Sequence, residues 1–521
     1  MVEKTCFWTH AALTPDRVAI VQPSGAELTF GQVRDQANQL VHALRERGLT
    51  RGDGVAFLLP NTAELLITVL AAQQAGWFFT PMNQNLVAAE AAYILSNSDA
   101  KAFVTHERYA EKSRLAIQEM TGPVLGLIAV GSVPGFESFE EVLASQPTDL
   151  PENREAGSLM SYTSGTTGRP KGVRRELTGL APEVQDEMTA PLNMLRVFGL
   201  TGEDNVHLAA SPLYHNAPLG YAQFALQLGH TVVLTEKFDV ETFLERVEHH
   251  RVTSTQVVPI HFHRLLKLPE EQRARYDLSS LRAVCHAGAP CPPEVKRQII
   301  EWFGPIIYEY YSSGEGVGGT LVTPSDALER PGTVGKPFAP GAIVKILDEL
   351  GEEMPRGKVG AVYSTLPGNA TQIAYYKDAK SSDAARRGDL FTAGDFGYMD
   401  DDGYLYLVSR RTDLILSGGV NIYPAEIEAA LLEHPAVFDV AVFGVPNDEW
   451  GEEVKAVVQT APGVPTGQDT VEALLEFARE RLARFKVPKS VDFADSLPRD
   501  PNGKMVKRHL RDPYWKKASA S

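Results

Sequence analysis

Apolar positions along this chain switch between two periods, and the switching predicts its layers before any chemistry is considered. After Leu28-Thr29-Phe30, the segment GQVRDQANQLVHALRERG sets Val33, Ala37, Leu40, Val41 and Leu44 along one helical face, and Gly48 marks its end. GVAFLLP then reads as a short buried strand, Glu64 to Ala75 as a helix, and AKAFVTH as a further strand. The rhythm returns in HTVVLTE, FDVETFLERVEHHRV, STQVVPI and LRAVCHAG. Continuous apolar strands alternating with helices predict parallel sheets covered by helices, hence stacked α/β subdomains.

From about Ile343 the texture changes. AIVKILDELGEEMPRGKVGAVYSTLPG and DFGYMDDDGYLYLVSRR are short alternating strands with Gly and Pro turns, and Asp402-Gly403 is a hairpin signal. This predicts a short-stranded, barrel-like subdomain. Beyond SRRTD the period starts afresh in YPAEIEAALLEHPAV, DVAVFGVPN, EEVKAVVQT, VEALLEFARERLA and KSVDFADSLP. The expected architecture is α/β plus α+β: a large N-terminal domain over 1–411 and a small α+β domain over 412–521.

Composition removes several function classes. A net charge of -16, from 50 basic and 66 acidic residues, argues against a broad nucleic-acid or anionic-membrane footprint, so a phosphate-handling site has to be focused. Cys6, Cys285 and Cys291 form neither a disulfide framework nor a zinc pattern and are expected as buried thiols. The most apolar window, LLITVLAAQQAGWFF, is broken by Gln73, Gln74 and Gly76, which predicts no integral membrane span. The amino terminus has no uninterrupted apolar run, so a cytoplasmic enzyme is expected.

Candidate chemistry concentrates in YTSGTTGRPKG, Tyr162 to Gly172. Thr163, Ser164, Thr166 and Thr167 supply hydroxyls, while Gly165, Gly168 and Gly172 let the backbone approach an anion with its N–H groups turned inward. Lys171 adds a flexible point charge and Pro170 stiffens the turn. The order of residues is neither G-x-x-x-x-G-K-[ST] nor G-x-G-x-x-G. Polyphosphate binding is the expectation.

The stretch resembles the signature phosphate loop of the adenylate-forming acyl-CoA synthetases, a family that also includes nonribosomal adenylation domains and firefly luciferase. The resemblance covers essentially the whole chain, with further motifs in the family's order. It implies that ATP and a carboxylic acid give an acyl-adenylate and pyrophosphate, after which a thiol, usually that of coenzyme A, displaces AMP. By the same resemblance HAGAP implies that Gly288, Ala289 and Pro290 flank the nucleotide. YYSSGEG implies Tyr311 against adenine, Ser312, Ser313 and Gly314 beside the nucleotide, and Glu315 holding Mg2+. Ser312 and Gly314 depart from the usual Y-G-x-T-E, and Gly314 replaces a threonine that normally binds phosphate.

In TAGDFGYMDDDGYLYLVSRRTD, Asp395 matches the residue that accepts from the ribose hydroxyls and Arg410 the one that contacts ribose and phosphate. Thr412 stands where the family carries a Lys or Asp hinge for rotation of the small domain. SGGVNIYPAEIE places Gly418 and Gly419 on the loop that lines the thiol channel in relatives. In LPRDPNGKMVKRHL, Lys504 matches the mobile lysine that reaches carboxylate and α-phosphate during adenylation.

For the acid, SPLYHNAP puts His215 at the border of the acyl site, and VVPIHFHRLL contributes His261 and His263 as weaker candidates for a pocket wall. Ala287, Gly288, Gly314, Gly316, Gly318 and Gly319 are small, which predicts a wide apolar cavity for a hydrophobic monocarboxylic acid. A steroid- or terpenoid-like ring acid leads, with fatty and aryl acids as competitors. The motifs leave three readings open: an acyl-CoA ligase, a stand-alone enzyme that loads a carrier-protein phosphopantetheine or stops at the adenylate, and a non-catalytic ligand-binding descendant.

Overall fold

A computed structural model describes residues 6–163, 170–315, 318–365, 373–410, 413–417, 420–447, 449–499 and 505–520. Two helix-covered sheets form the large domain. The six-stranded one is parallel throughout, in the order Glu137–Ser138, Gly126–Val130, Ala100–His106, Gly54–Leu58, Phe78–Pro81, Ser158–Leu159. AKAFVTH is its strand Ala100–His106, as its apolar run predicts.

The nine-stranded sheet has a parallel centre, in the order Ile307–Ser312, Ala283–His286, Ser254–Val257, Val206–Ala209, Thr231–Leu234, Val18–Val21. Antiparallel strands flank it on both sides.

One continuous core joins the two sheets and contains the helices Phe30–Glu46, Ala63–Ala75 and Asn216–Gln227. Phe30–Glu46 begins with a reciprocal cap between Thr29 and Gln32 and buries Val33, Ala37, Leu40, Val41 and Leu44, the face read from its periodicity. Ala63–Ala75 is buried on almost every side, which explains why its sequence is so apolar. Its buried Gln74 is satisfied, donating to Asn38 at 3.0 Å and accepting from Arg154 at 3.0 Å. Among the described residues no helix is long and apolar enough to cross a membrane. All three cysteines are free and buried.

The short-stranded subdomain is antiparallel, built from Ile343–Leu347, Gly360–Thr365, Arg386–Arg387, Leu390–Phe391, Asp395–Met399 and Leu405–Arg410. The hairpin signalled by Asp402-Gly403 joins its last two strands. A further three-stranded sheet pairs Ser161–Thr163 with Lys171–Arg174 and the latter with Ala374–Tyr375. The small C-terminal domain has its own core, in which the long hairpin Val437–Asn447 and Gly451–Thr460 packs against Pro424–Leu432 and Gln468–Arg481.

Candidate active site

Parallel strands of the nine-stranded sheet deliver their C-terminal ends to one edge, the place where open α/β sheets hold ligands. Val206–Ala209 runs into the turn Ser211 to His215, Ala283–His286 into Ala287 to Pro290, and Ile307–Ser312 into Ser313 to Glu315. Asn61 fixes the first of these turns from inside the core. Its amide donates to the carbonyls of Ser211 and Thr235, each at 3.0 Å, and accepts from Leu213 N–H at 2.8 Å. Four partners would saturate such a side chain and three are made here, so the turn is tightly held.

On the nucleotide side, Gly288 has φ +86°, a left-handed conformation that favours glycine. A Cβ there would approach nothing closer than Val258 Cγ1 at 3.8 Å, so the space over this turn is open. Ala289 is half-buried and Pro290 exposed along the same edge. Tyr311 donates its hydroxyl proton to Asp395 Oδ2 at 2.7 Å, which brings together two positions far apart in sequence. Asp395 is buried, and its register partner across the hairpin is Arg410, whose side chain lies outside the described residues.

The residues expected to meet phosphate flank the three-stranded sheet. Thr163 and Lys171 stand opposite one another in antiparallel register. Ser164, Gly165, Thr166, Thr167 and Gly168 lie outside the described residues, as do Thr412, Gly418, Gly419 and Lys504. Lys171 donates to the Ser381 hydroxyl and pairs with Asp378 at 3.3 Å. Asp378 caps the helix Ala379–Ala385 by accepting from Ser381 N–H at 3.1 Å. Those Ser381 hydrogen bonds, with Lys171 adding to them, hold the Asp378 carboxyl below its ordinary range.

Tyr375 ties these charges together. Its ring lies 5.1 Å from Lys171 Nζ, and its hydroxyl donates to Glu315 Oε1 at 3.1 Å. Burial, reinforced by the Glu315 charge, pushes the Tyr375 phenol upward, so it stays a donor. Glu315 is buried. No group of three or more His, Cys, Asp or Glu among the described residues is placed to hold a metal. A divalent ion held by Glu315 would need phosphate oxygens and water as its other ligands, a requirement that suits Mg2+.

Beneath the nucleotide turn is a buried ion pair. Lys296 of helix Pro293–Phe303 donates to Glu309, which faces His286 across two strands with His286 Nε2 3.8 Å away. Burial and then the Lys296 charge push His286 well below its ordinary value, so it is a neutral structural ring.

The acyl side sharpens the expectation of a wide cavity. A Cβ on Gly314 would stand 2.7 Å from Thr163 Cγ2 and 3.3 Å from Asn216 Nδ2, and one on Gly318 would stand 2.8 Å from the Tyr311 carbonyl. These two glycines are small because neighbours fill their space. At exposed Gly288, by contrast, a Cβ would meet only Val258 Cγ1, at ordinary contact distance. His215 is half-buried at the start of helix Asn216–Gln227, its ring 4.1 Å from that of Tyr214. His261 is buried and stacked at 3.7 Å on Phe238 within the helical layer, and His263 lies 5.6 Å from Phe438 of the small domain. Ser312 is exposed, and its hydroxyl donates to the Ser313 carbonyl at 3.4 Å.

Sequence reasoning missed Tyr375, Asp378, Ser381 and Asn61. A signal for the middle pair was present, since Asp378 precedes Ser381 at the spacing of an N-terminal helix cap.

Comparison with known proteins agrees with this geometry. The AMP-binding enzyme family model matches residues 7–373, and the AMP-binding enzyme C-terminal domain model matches 426–504. The indoleacetate–CoA ligase of Aromatoleum aromaticum is 32% identical over 513 residues, covering 96% of each chain. The feruloyl-CoA synthase of an Amycolatopsis species is 34% identical over 505 residues, covering 96% of this chain and 97% of its own. Among solved structures, the amide bond synthetase McbA from Marinactinospora thermotolerans superposes with a TM-score of 0.82 at 29% identity, covering 96% of this chain and 97% of that one.

Proposed function

The chain belongs to the AMP-binding enzyme family and is an acid-thiol ligase of the AMP-forming type, and we propose that its acid is hydrophobic and ring-bearing and that its thiol is coenzyme A. The observation that carries the activation step is the grouping of Lys171, Tyr375 and Glu315 beside the Tyr311–Asp395 pair. A ring acid is supported by the open space over Gly288 and by the ring acids named for two relatives. That the amide bond synthetase shares the fold keeps a different acceptor as the second reading.

In the first half-reaction an acid carboxylate oxygen attacks the α-phosphorus of ATP, an O–P bond forms, and the bond to pyrophosphate breaks. Charge gathers on the departing phosphates and must be met by groups already in place. Lys171, moving from Asp378 toward the phosphates, supplies one positive charge, and the hydroxyls of Thr163, Ser164, Thr166 and Thr167 supply further donors. Mg2+ at Glu315 would neutralise phosphate charge when bound. Tyr311 borders adenine, Asp395 accepts from the ribose hydroxyls, and Lys504 bridges carboxylate and α-phosphate. In the second half-reaction the small domain, taken from residue 412, turns to bring Gly418 and Gly419 to the thiol channel. The thiol sulfur then attacks the acyl carbon, and AMP leaves with the former carboxylate oxygen.

The test is a panel of acids, including indoleacetate, ferulate, long-chain fatty acids, ring acids of steroid type and acetate. Each is incubated with ATP and Mg2+, with and without coenzyme A, and read by mass detection. Ring acids should give acyl-adenylate alone and acyl-CoA when coenzyme A is added. Reaction of acetate only would reject the acid assignment, and adenylate with no acyl-CoA would reject the acceptor.

A further inference from the structure

A cleft of about 660 Å³ lies beside the strand Lys171–Arg174, where Arg51 and Phe78 of the N-terminal subdomain face Tyr376 and Lys377. That volume is in the range of small-molecule sites. Four cationic side chains line it, Arg51, Arg174, Arg175 and Lys377, against the single carboxylate of Glu176. Two of these cations already have carboxylate partners: Arg51 pairs with Glu155 at 2.6 Å and Lys377 with Asp99 at 2.7 Å.

Arg174 and Arg175 are held differently. The Arg174 guanidinium lies 3.6 Å from the Phe78 ring centroid and 4.5 Å from that of Tyr376, and it donates to the Gly52 carbonyl at 3.3 Å. A guanidinium has five N–H donors, of which this one gives one to Gly52, and the Asp99 carboxylate that pairs with Lys377 also acts on it. Arg175 donates to the Glu315 carbonyl at 3.4 Å, and its Nε is shut from solvent with no hydrogen-bond partner among the described residues. A cation desolvated without a counter-anion is unfavourable, and an incoming anion relieves that cost.

We propose that this cleft is a second ligand site, apart from those for ATP and the acid, and that it takes an organic phosphate monoester whose phosphate sits between Arg174 and Arg175. The site connects directly to the reaction centre. Arg175 holds the Glu315 carbonyl, while Tyr375, also on the cleft wall, holds the Glu315 carboxylate. A phosphate that draws Arg175 toward itself loosens the first of these grips, so occupancy of the cleft alters the Mg2+ requirement of adenylation. This coupling rests on the metal role proposed for Glu315, whereas the binding site does not.

The test uses full-length protein whose nucleoside site is saturated with adenosine sulfamate, which carries no phosphate and needs no acid. Ribose 5-phosphate is titrated in by calorimetry, with ribose as the control. One equivalent should bind, ribose should not, and Arg174→Gln or Arg175→Gln should each weaken binding about tenfold or more, the loss of a charge-assisted hydrogen bond. Absence of binding, or equal affinity in the Arg174→Gln/Arg175→Gln double variant, overturns the site. Should those variants unfold, Arg51→Glu reverses a rim charge without disturbing the stacked rings, and unchanged affinity there overturns it as well. A Mg2+ dependence of pyrophosphate release that does not move with ribose 5-phosphate would disconnect the cleft from Glu315.

Discussion

Restoring a side chain at Gly314, where the chain departs from Y-G-x-T-E, perturbs the site by contact alone, because the backbone there is not in the left-handed region. In Gly314→Ala the new Cβ would stand 2.7 Å from Thr163 Cγ2 and 3.3 Å from Asn216 Nδ2. Carbon pairs settle near about 3.5–4.0 Å, so Thr163 has to retreat by roughly 0.8 Å or more. It cannot do so freely, since its strand is paired to Lys171–Arg174. Overpacking of this kind costs about 1–3 kcal/mol. If the displaced Thr163 carries that strain into ATP binding and turnover, kcat/KM for ATP falls by about 5- to 150-fold. Pyrophosphate release at limiting ATP measures it. Thr163→Ser deletes Cγ2 and keeps the hydroxyl, so it should recover most of the loss on the Gly314→Ala background, with a coupling of at least about 1 kcal/mol. Additive effects of the two substitutions, or a Gly314→Ala enzyme as active as its parent, would refute the contact.

Lys504→Ala should depress adenylate formation far more than thiol transfer from a supplied acyl-adenylate; equal losses in both steps would reject that division of labour. Lys296→Met leaves Glu309 buried without its cation and should cost about 3–5 kcal/mol in urea unfolding, whereas Lys296→Met/Glu309→Leu recovers much of it. A double variant no more stable than the single one would show the pair is not the cause. Stability should also fall in mild acid. His207, His230 and His261 are each pushed down to about 3, first by burial, from an ordinary value of 6.5. The unfolded chain therefore binds protons that the folded chain refuses, and stability is lost as pH drops through 6.5. Asp186, pushed up to about 7 chiefly by burial, works in the opposite direction. Between about pH 7 and pH 5.5 the net loss is at least about 2 kcal/mol. A urea midpoint that holds steady across that interval would contradict it.

Local patterns were legible because they are written in contiguous residues. The apolar face of Phe30–Glu46 and the run AKAFVTH announce a helix and a strand without reference to the rest of the chain. The hydroxyls, glycines and lysine of Tyr162 to Gly172 are likewise contiguous, and the anion site proposed there rests on them. Tyr375 was illegible for the opposite reason. Its value depends on Ala374–Tyr375 pairing with Lys171–Arg174, a register that no local period encodes. His261, in sequence as compatible with a structural role as with a pocket wall, stacks its ring on Phe238, since a helix's rotation about its axis decides which face each histidine joins. The small residues were only partly informative. Glycine is equally compatible with open space, as at Gly288, and with a neighbour already there, as at Gly314, and only coordinates separate the two.

The three-stranded sheet also constrains how the chain can be recombined with its relatives. Val173 is registered with Tyr375 and Arg174 with Ala374, while Lys171 takes its hydrogen-bonding and charge partners from Ser381 and Asp378. A crossover anywhere between 175 and 373 would draw the lysine from one parent and its partners from the other. The turns at His215 and Gly288, proposed for the acid and the nucleotide, both fall inside that interval. Exchange of acid specificity by block transfer is therefore cleanest when everything from 161 through 385 travels together, with the seams placed outside the paired strands and the helix that Asp378 caps.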